Sequence, residues 1–141
     1  MTRYQYCYII GEPQLPPTTI VFFRDGDGTA PVALWLARLR HTRPRAFAKC
    51  VVRLERLGQM GHELRRPESD TLRDGIHELR IRLTHTNFRL LYSVHRRTFA
   101  VLLHALTKQD VVPDADIDLA VKRREAFARD PEAHTFRGPM P

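Results

Sequence analysis

The sequence predicts an α+β fold in which a twisted antiparallel sheet carries helices on one face. A β-branched and aromatic run, Ile20-Val21-Phe22-Phe23, precedes two segments whose apolar residues recur every three or four positions. From Ile76 onward the apolar period changes to two and holds through three short segments, and a helical period returns near Ile117. The predicted order is therefore an N-terminal strand, two helices, a three-strand meander and a C-terminal helix.

The two predicted N-terminal helices each begin near a proline, at Pro31 and Pro44, where the missing N–H is tolerated. Their apolar stripes are Val32, Trp35, Leu36 and Leu39 in the first, and Phe47, Cys50, Val51, Leu54 and Leu57 in the second. The meander comprises residues 76–83, 88–94 and 98–106. We expect residues 1–19 to form an extended arm, 20–129 the folded domain, and 130–141 a flexible tail.

Length and cysteine content narrow the class of protein. The chain has 141 residues, enough for one domain, and its apolar runs are too short for a membrane-spanning helix. The N-terminus lacks the apolar segment of a signal peptide. Two cysteines, Cys7 and Cys50, do not form a disulfide framework or a four-cysteine metal site. We therefore expect a cytoplasmic protein, and the histidine spacing predicts no metal site.

Positive charge is concentrated in the middle of the chain. The net charge is +7, yet residues 38–97 alone hold fifteen basic and six acidic side chains. Twenty of the 23 basic residues are arginines, whose planar guanidinium binds phosphate in a bidentate manner. This favours a polyanionic partner, although a GC-rich genome would raise the arginine content without any such function.

Four stretches in this order resemble the RelE/HigB toxins, in particular their phage-derived HigB-like branch. They are Leu72–Arg80, Phe88–Tyr92, Leu102–Lys108 and Pro113–Ala120. The resemblance implies a RelE-like fold and a toxin of a type II toxin–antitoxin system. It further implies a ribosome-dependent mRNA endoribonuclease, or mRNA interferase, that inhibits translation and growth without a metal or cofactor. The implied partners are mRNA, the ribosome and a HigA-like helix-turn-helix antitoxin, which should offer this basic chain an acidic surface.

Metal-independent RNA cleavage by 2′-hydroxyl attack needs cations around the reacting phosphate. Arg80 and Arg82 lie two apart on one predicted strand and so share a face, and the hairpin can bring Arg89 to that face. Lys108 follows the last strand and can reach the same phosphate. These four are the candidate catalytic residues. The alternative is a solvated strand face on which Glu78 pairs with an arginine.

Other residues have less specific signals. His104 and His85 are candidates for proton transfer, but His104 also fits a buried hydrogen-bonded role and His85 a turn. Arg73 and the basic face of the second helix are candidate RNA contacts, although a solvated face is an equal explanation; that face comprises Arg45, Lys49, Arg53 and Arg56. Gln109 stands where the resembling family has a second basic residue. An inactive phage-derived protein therefore remains as an alternative. A ParE-like inhibitor of gyrase is a second one, although it would not need the convergent cations Arg80, Arg82, Arg89 and Lys108.

Overall fold

A computed structural model describes residues 17–108, 110–139 and 141, so most of the predicted N-terminal arm lies outside the described residues. The strands are β1 (Thr19–Phe22), β2 (Ser69–Arg73), β3 (Ile76–Leu83), β4 (Thr86–His95) and β5 (Phe99–Lys108). The helices are α1 (Pro31–Thr42), α2 (Pro44–Met60) and α3 (Asp114–Arg129), with a 3-10 turn at Gly61–Glu63. The α+β class is confirmed. None of the helices in the described part is long and apolar enough to cross a membrane.

The sheet has five strands in the order β1-β5-β4-β3-β2, which corrects the predicted sheet in two respects. The meander contains four strands, because β2 pairs with β3 along the far edge. Its sequence, Ser69-Asp70-Thr71-Leu72-Arg73, is mostly polar, as an edge strand can be, and so resembles a loop. Moreover, β1 runs parallel to β5, so the sheet is mixed and not purely antiparallel.

Helices cover both faces of the sheet, and the prediction of one covered face is wrong. On one face, α1 and α2 pack over a cluster that includes Leu79, Phe88 and Leu90. On the other face, α3 packs over a cluster that includes Leu91 and Val101. The physical reason lies in β5, which is apolar on both sides, as expected for a central strand buried from above and below.

The end of the chain packs against β1, although residues 130–141 were expected to form a flexible tail. The Phe136 N–H donates to the Phe22 carbonyl at 2.9 Å, and Thr135 forms a β-bridge with Phe23. The His134 ring stacks on the Phe23 ring with centroids 5.2 Å apart. These contacts anchor residues 134–136, because the outer edge of β1 offers backbone partners and an aromatic surface.

Candidate functional site

Arg80 and Arg89 form a cross-strand pair on the face of the sheet that α3 partly covers. They are directly opposite each other in the β3–β4 register. Two like charges in this position repel. Glu78, whose side chain is 6% exposed, lies between them: one carboxylate oxygen accepts from Arg89 at 3.1 Å and the other from Arg80 at 2.9 and 3.0 Å. Asp70 adds a second ion pair to Arg80 at 3.1 Å. We call these four residues the arginine cluster.

Arg89 is held tightly within the arginine cluster. Its side chain is 13% exposed, and one terminal nitrogen donates to the Asp110 carbonyl at 3.5 Å. Its Nε is buried and has no hydrogen-bond partner in the described structure. Arg89 is therefore a fixed and largely desolvated cation, and the part of the cluster open to an incoming anion is mainly Arg80, whose side chain is 35% exposed.

Arg82 shares the face of the arginine cluster but points elsewhere. Its side chain is exposed, and its Nε donates to the Thr84 carbonyl in the β3–β4 turn at 3.2 Å. In the sheet register Arg82 pairs with Asn87, which pairs in turn with Lys108. Arg82 and Lys108 thus occupy one row across three strands, and two strand spacings put their Cα atoms roughly 10 Å apart. The side chain of Lys108 and all of Gln109 lie outside the described residues.

The basic row of α2 splits into two parts. Arg53 and Arg56 both pair with Glu68, at 2.8 and 2.9 Å. The Arg56 hydrogen bond is the main reason that the pKa of Glu68 lies below its ordinary value. Lys49 instead donates to the Arg82 carbonyl at 2.7 Å, and Arg45 is exposed one turn earlier. Only the first half of the predicted row therefore adds uncompensated charge.

Arg43 is a cation near the site that the sequence analysis missed. It lies between α1 and α2, donates to the Thr86 hydroxyl at 3.2 Å, and places its guanidinium 5.2 Å from the centre of the Phe88 ring. The only sequence signal is its position before Pro44, which fixes a helix junction. Four cations thus surround the β3–β4 turn, and none of them has a carboxylate ion pair among the described residues. We call these four residues the hairpin-end patch: Arg43, Arg45, Lys49 and Arg82.

Arg73, predicted to contact RNA, is occupied by carboxylates. It pairs with Asp118 at 2.7 Å and Asp74 at 2.8 Å, and lies 3.5 Å from Asp114. These partners raise the pKa of Arg73, the hydrogen bond to Asp118 most of all. The side chain ties the β2–β3 turn to the first turns of α3. Three aspartates therefore compete with any phosphate for Arg73.

The two candidate histidines occupy different surroundings. The Nε2 atom of His104 lies 2.7 Å from an Asp116 oxygen, and Nδ1 lies 3.4 Å from an Arg123 nitrogen. Arg123 also donates to the Leu103 carbonyl at 2.7 Å. Both ring nitrogens of His104 are thus occupied by the α3–β5 contact, which supports the structural interpretation. His85 is exposed in the β3–β4 turn beside the hairpin-end patch.

A separate groove of about 480 Å³ opens near the edge strand β2. Ser69 and Tyr92 share a hydrogen bond of 2.6 Å there, and Thr71 lies 3.1 Å from Nδ1 of His77. Burial lowers the pKa of His77 and raises that of Tyr92. No group of three His, Cys, Asp or Glu side chains within the described ranges is arranged to hold a metal ion.

Comparison with known proteins identifies the family. A comparison with curated proteins gave no match. A family model described as "Phage derived protein Gp49-like (DUF891)" matches residues 36–125, well over half of the chain. The matched range contains α2, the meander, the arginine cluster and most of α3. The chain therefore belongs to the Gp49-like family of phage-derived proteins.

Proposed function

We propose that this protein is the toxin of a type II toxin–antitoxin system and that it cleaves mRNA as a metal-independent endoribonuclease. The observation that carries the proposal is that Arg80, Arg82 and Arg89 share one face of the sheet, while the other cations of the hairpin-end patch surround the β3–β4 turn at the end of the same strands. Membership in the Gp49-like family, which is RelE/HigB-like, supports the toxin assignment. The net charge of +7 supports a polyanionic substrate.

In the proposed reaction, a ribose 2′-oxygen attacks the adjacent phosphorus while its proton leaves to a base. The bond from phosphorus to the 5′-oxygen of the next nucleotide breaks, and that oxygen takes up a proton. The products are a 2′,3′-cyclic phosphate and a 5′-hydroxyl end. Arg80 and Arg89 stabilise the additional negative charge on the phosphorane, and Glu78 keeps both guanidiniums in place. Arg82 and Lys108 bind the flanking backbone.

Proton transfer is assigned to the residues that remain accessible. His85 is exposed in the turn that follows Arg82, and an imidazole can both donate and accept a proton. His104 would have to give up its contacts with Asp116 and Arg123 first. We therefore place His85 ahead of His104 as the candidate acid or base.

One observation favours a second candidate function. Glu78 and Asp70 already balance the charges of Arg80 and Arg89, so the cluster is complete without a phosphate. A folded but inactive protein, or a non-catalytic ParE-like inhibitor of gyrase, would need no more than this. The position of Gln109, where the resembling family has a basic residue, agrees with such a loss.

An inducible copy in a bacterial host separates these functions. For the endoribonuclease, growth should stop, RNA fragments with 5′-hydroxyl ends should accumulate, and plasmid supercoiling should stay normal. Arg82→Ala should lower cleavage about 10–100-fold without loss of fold, because the side chain is exposed. The matched control is Arg38→Ala, which removes an exposed arginine from α1. Growth arrest with relaxed or broken plasmid DNA and intact RNA would indicate gyrase inhibition instead.

A further inference from the structure

The turn between β4 and β5 has an unusual backbone for its residues. Arg96 and Arg97 both have positive φ angles, 53° and 63°, and the Thr98 N–H donates to the His95 carbonyl at 3.3 Å. Three residues, 96–98, connect the paired His95 and Phe99, and two successive positive φ angles favour asparagine, aspartate and glycine, because a larger side chain at positive φ approaches its own backbone. Two successive arginines are a costly choice for this position.

The turn between β2 and β3 contains the residue types that positive φ angles usually require. Asp74 and Gly75 join β2 to β3 with φ angles of 53° and 79°, and their sequence is the one that such turns prefer. Both turns lie at the same end of the sheet, opposite the β3–β4 turn. Two successive positive φ angles thus fall on Asp-Gly in one turn and on Arg-Arg in the other, which is one residue longer.

Neither arginine of the β4–β5 turn contributes an evident contact to folding. Both are exposed, and neither has an ion pair or a side-chain hydrogen bond within residues 17–108 and 110–139. Aromatic rings pack at the base of the turn: the centroid of the His95 ring lies 5.2 Å from that of Phe127 and 6.4 Å from that of Phe99. The turn thus presents two exposed guanidiniums beside a packed aromatic base.

We propose that Arg96 and Arg97 form a second phosphate-binding point, for the backbone of an RNA duplex, separate from the arginine cluster. The partner's identity rests on the proposed function. The ten residues of β4 set the turn roughly 30 Å from the hairpin-end patch. A nucleic-acid duplex carries phosphates along its whole length, so one duplex can reach both points. Arginine forks suit phosphate, and such contacts position a protein without reading sequence.

The test uses the full chain and a 20-base-pair RNA duplex with 2′-O-methyl riboses, which cannot be cleaved by 2′-hydroxyl attack. Binding is measured by fluorescence anisotropy at several salt concentrations for wild type and Arg96→Asn/Arg97→Gly. Two lost phosphate contacts should make the slope of log affinity against log salt shallower by about 1.5–2. The same variant should unfold at a temperature about 3–8 °C higher, because its turn residues suit the backbone.

Two further variants make the result specific. Arg96→Lys/Arg97→Lys keeps the charge and should keep most of the salt slope. Arg38→Gln/Lys122→Gln removes two exposed charges elsewhere and should change the slope by less than half as much. An unchanged slope in Arg96→Asn/Arg97→Gly, or an equal change in the Arg38→Gln/Lys122→Gln control, overturns the proposal. Unchanged RNA binding with slowed association to an acidic partner protein would also overturn it, and would assign the turn to that partner.

The proposed function can fail independently of this inference. A wild-type protein that cleaves no RNA, but binds the duplex through Arg96 and Arg97, would contradict only the endoribonuclease. A protein that cleaves RNA with the same efficiency and the same duplex affinity after the turn is replaced would contradict only the second phosphate-binding point.

Discussion

Glu78 is the residue on which the arginine cluster depends. It separates two cations that face each other across β3 and β4, and it is nearly inaccessible to solvent. Because one oxygen serves each arginine, the carboxylate fixes their spacing as well as their charge. A phosphate entering this site would meet guanidiniums that are already oriented, which is the arrangement that electrostatic catalysis requires.

We expect Glu78→Gln to lower the free energy of unfolding by about 2–4 kcal/mol. Removing one partner of a buried ion pair costs about 3–5 kcal/mol, and the partial exposure of Arg80 reduces that figure. Urea unfolding measures the change, with Glu55→Gln on the exposed side of α2 as the control. A Glu78→Gln protein as stable as the control would mean that the two arginines do not need their shared carboxylate.

We expect substitution of His104 to affect stability and substitution of His85 to affect RNA cleavage. His104→Gln should lower the free energy of unfolding by about 1–2 kcal/mol, because it breaks the hydrogen bonds to Asp116 and Arg123. His85→Gln should leave stability unchanged and alter the pH profile of RNA cleavage. Thermal unfolding and cleavage rates between pH 5.5 and 8.5 distinguish the two. A change of pH profile in His104→Gln alone would reverse these assignments.

The strands could be predicted from the sequence where apolar residues alternate within the strand itself. Alternation from Ile76 to Leu83 predicted β3, and the two-residue spacing of Arg80 and Arg82 predicted that they share a face. The hairpin was expected to bring Arg89 to that face, and the register places Arg89 opposite Arg80. The edge strand β2 could not be predicted, because four of its five residues are polar and no apolar alternation marks it. The side of the sheet that α3 covers was also hidden, since both faces of β5 are apolar.

The pairing of β2 with β3 should depend on pH. Burial is the main reason that the folded-state pKa of His77 lies below 6.5, with Arg124 as a second cause. As the pH falls below about 6.5, His77 therefore becomes protonated in the unfolded chain before it does in the native protein. His77 thus contributes stability above that pH, which is lost on acidification.

Urea unfolding of wild type and His77→Gln at pH 7.5 and 5.5 tests this dependence. The stability of wild type should fall more than that of His77→Gln between the two pH values. Equal losses in both proteins would show that His77 is not the responsible group.

Across the whole molecule, the fold decides which arginines in the middle of the chain are paired with carboxylates. Their positions in the sequence do not show this. Glu68 neutralises Arg53 and Arg56, and three aspartates enclose Arg73. Apart from Asp74, which is adjacent to Arg73, these partners lie 12 to 45 residues apart in sequence, so their contacts follow from the fold and not from any local pattern. Among the described residues, the cations without a carboxylate ion pair include the hairpin-end patch and the arginines of the β4–β5 turn.

The proposed antitoxin should associate by an electrostatically assisted encounter. A chain with a net charge of +7 favours an acidic partner, and we expect contact mainly on the side of α1 and α2 and near β1. Raising sodium chloride from 50 to 500 mM should slow association by about tenfold or more, because salt screens the attraction. Stopped-flow mixing with the product of the adjacent reading frame measures the rate. A rate independent of salt would exclude electrostatic assistance.

The most direct test of the central claim is the mapping of RNA 5′ ends after induction of wild type, Arg80→Gln and Arg38→Gln. If Arg80 and Arg89 stabilise the reacting phosphate, wild type and Arg38→Gln should produce 5′-hydroxyl ends in mRNA. Arg80→Gln should produce about 100–1,000-fold fewer, at equal expression and with a folded protein. Wild-type numbers of 5′-hydroxyl ends from Arg80→Gln, or none from the wild-type protein, would contradict the claim.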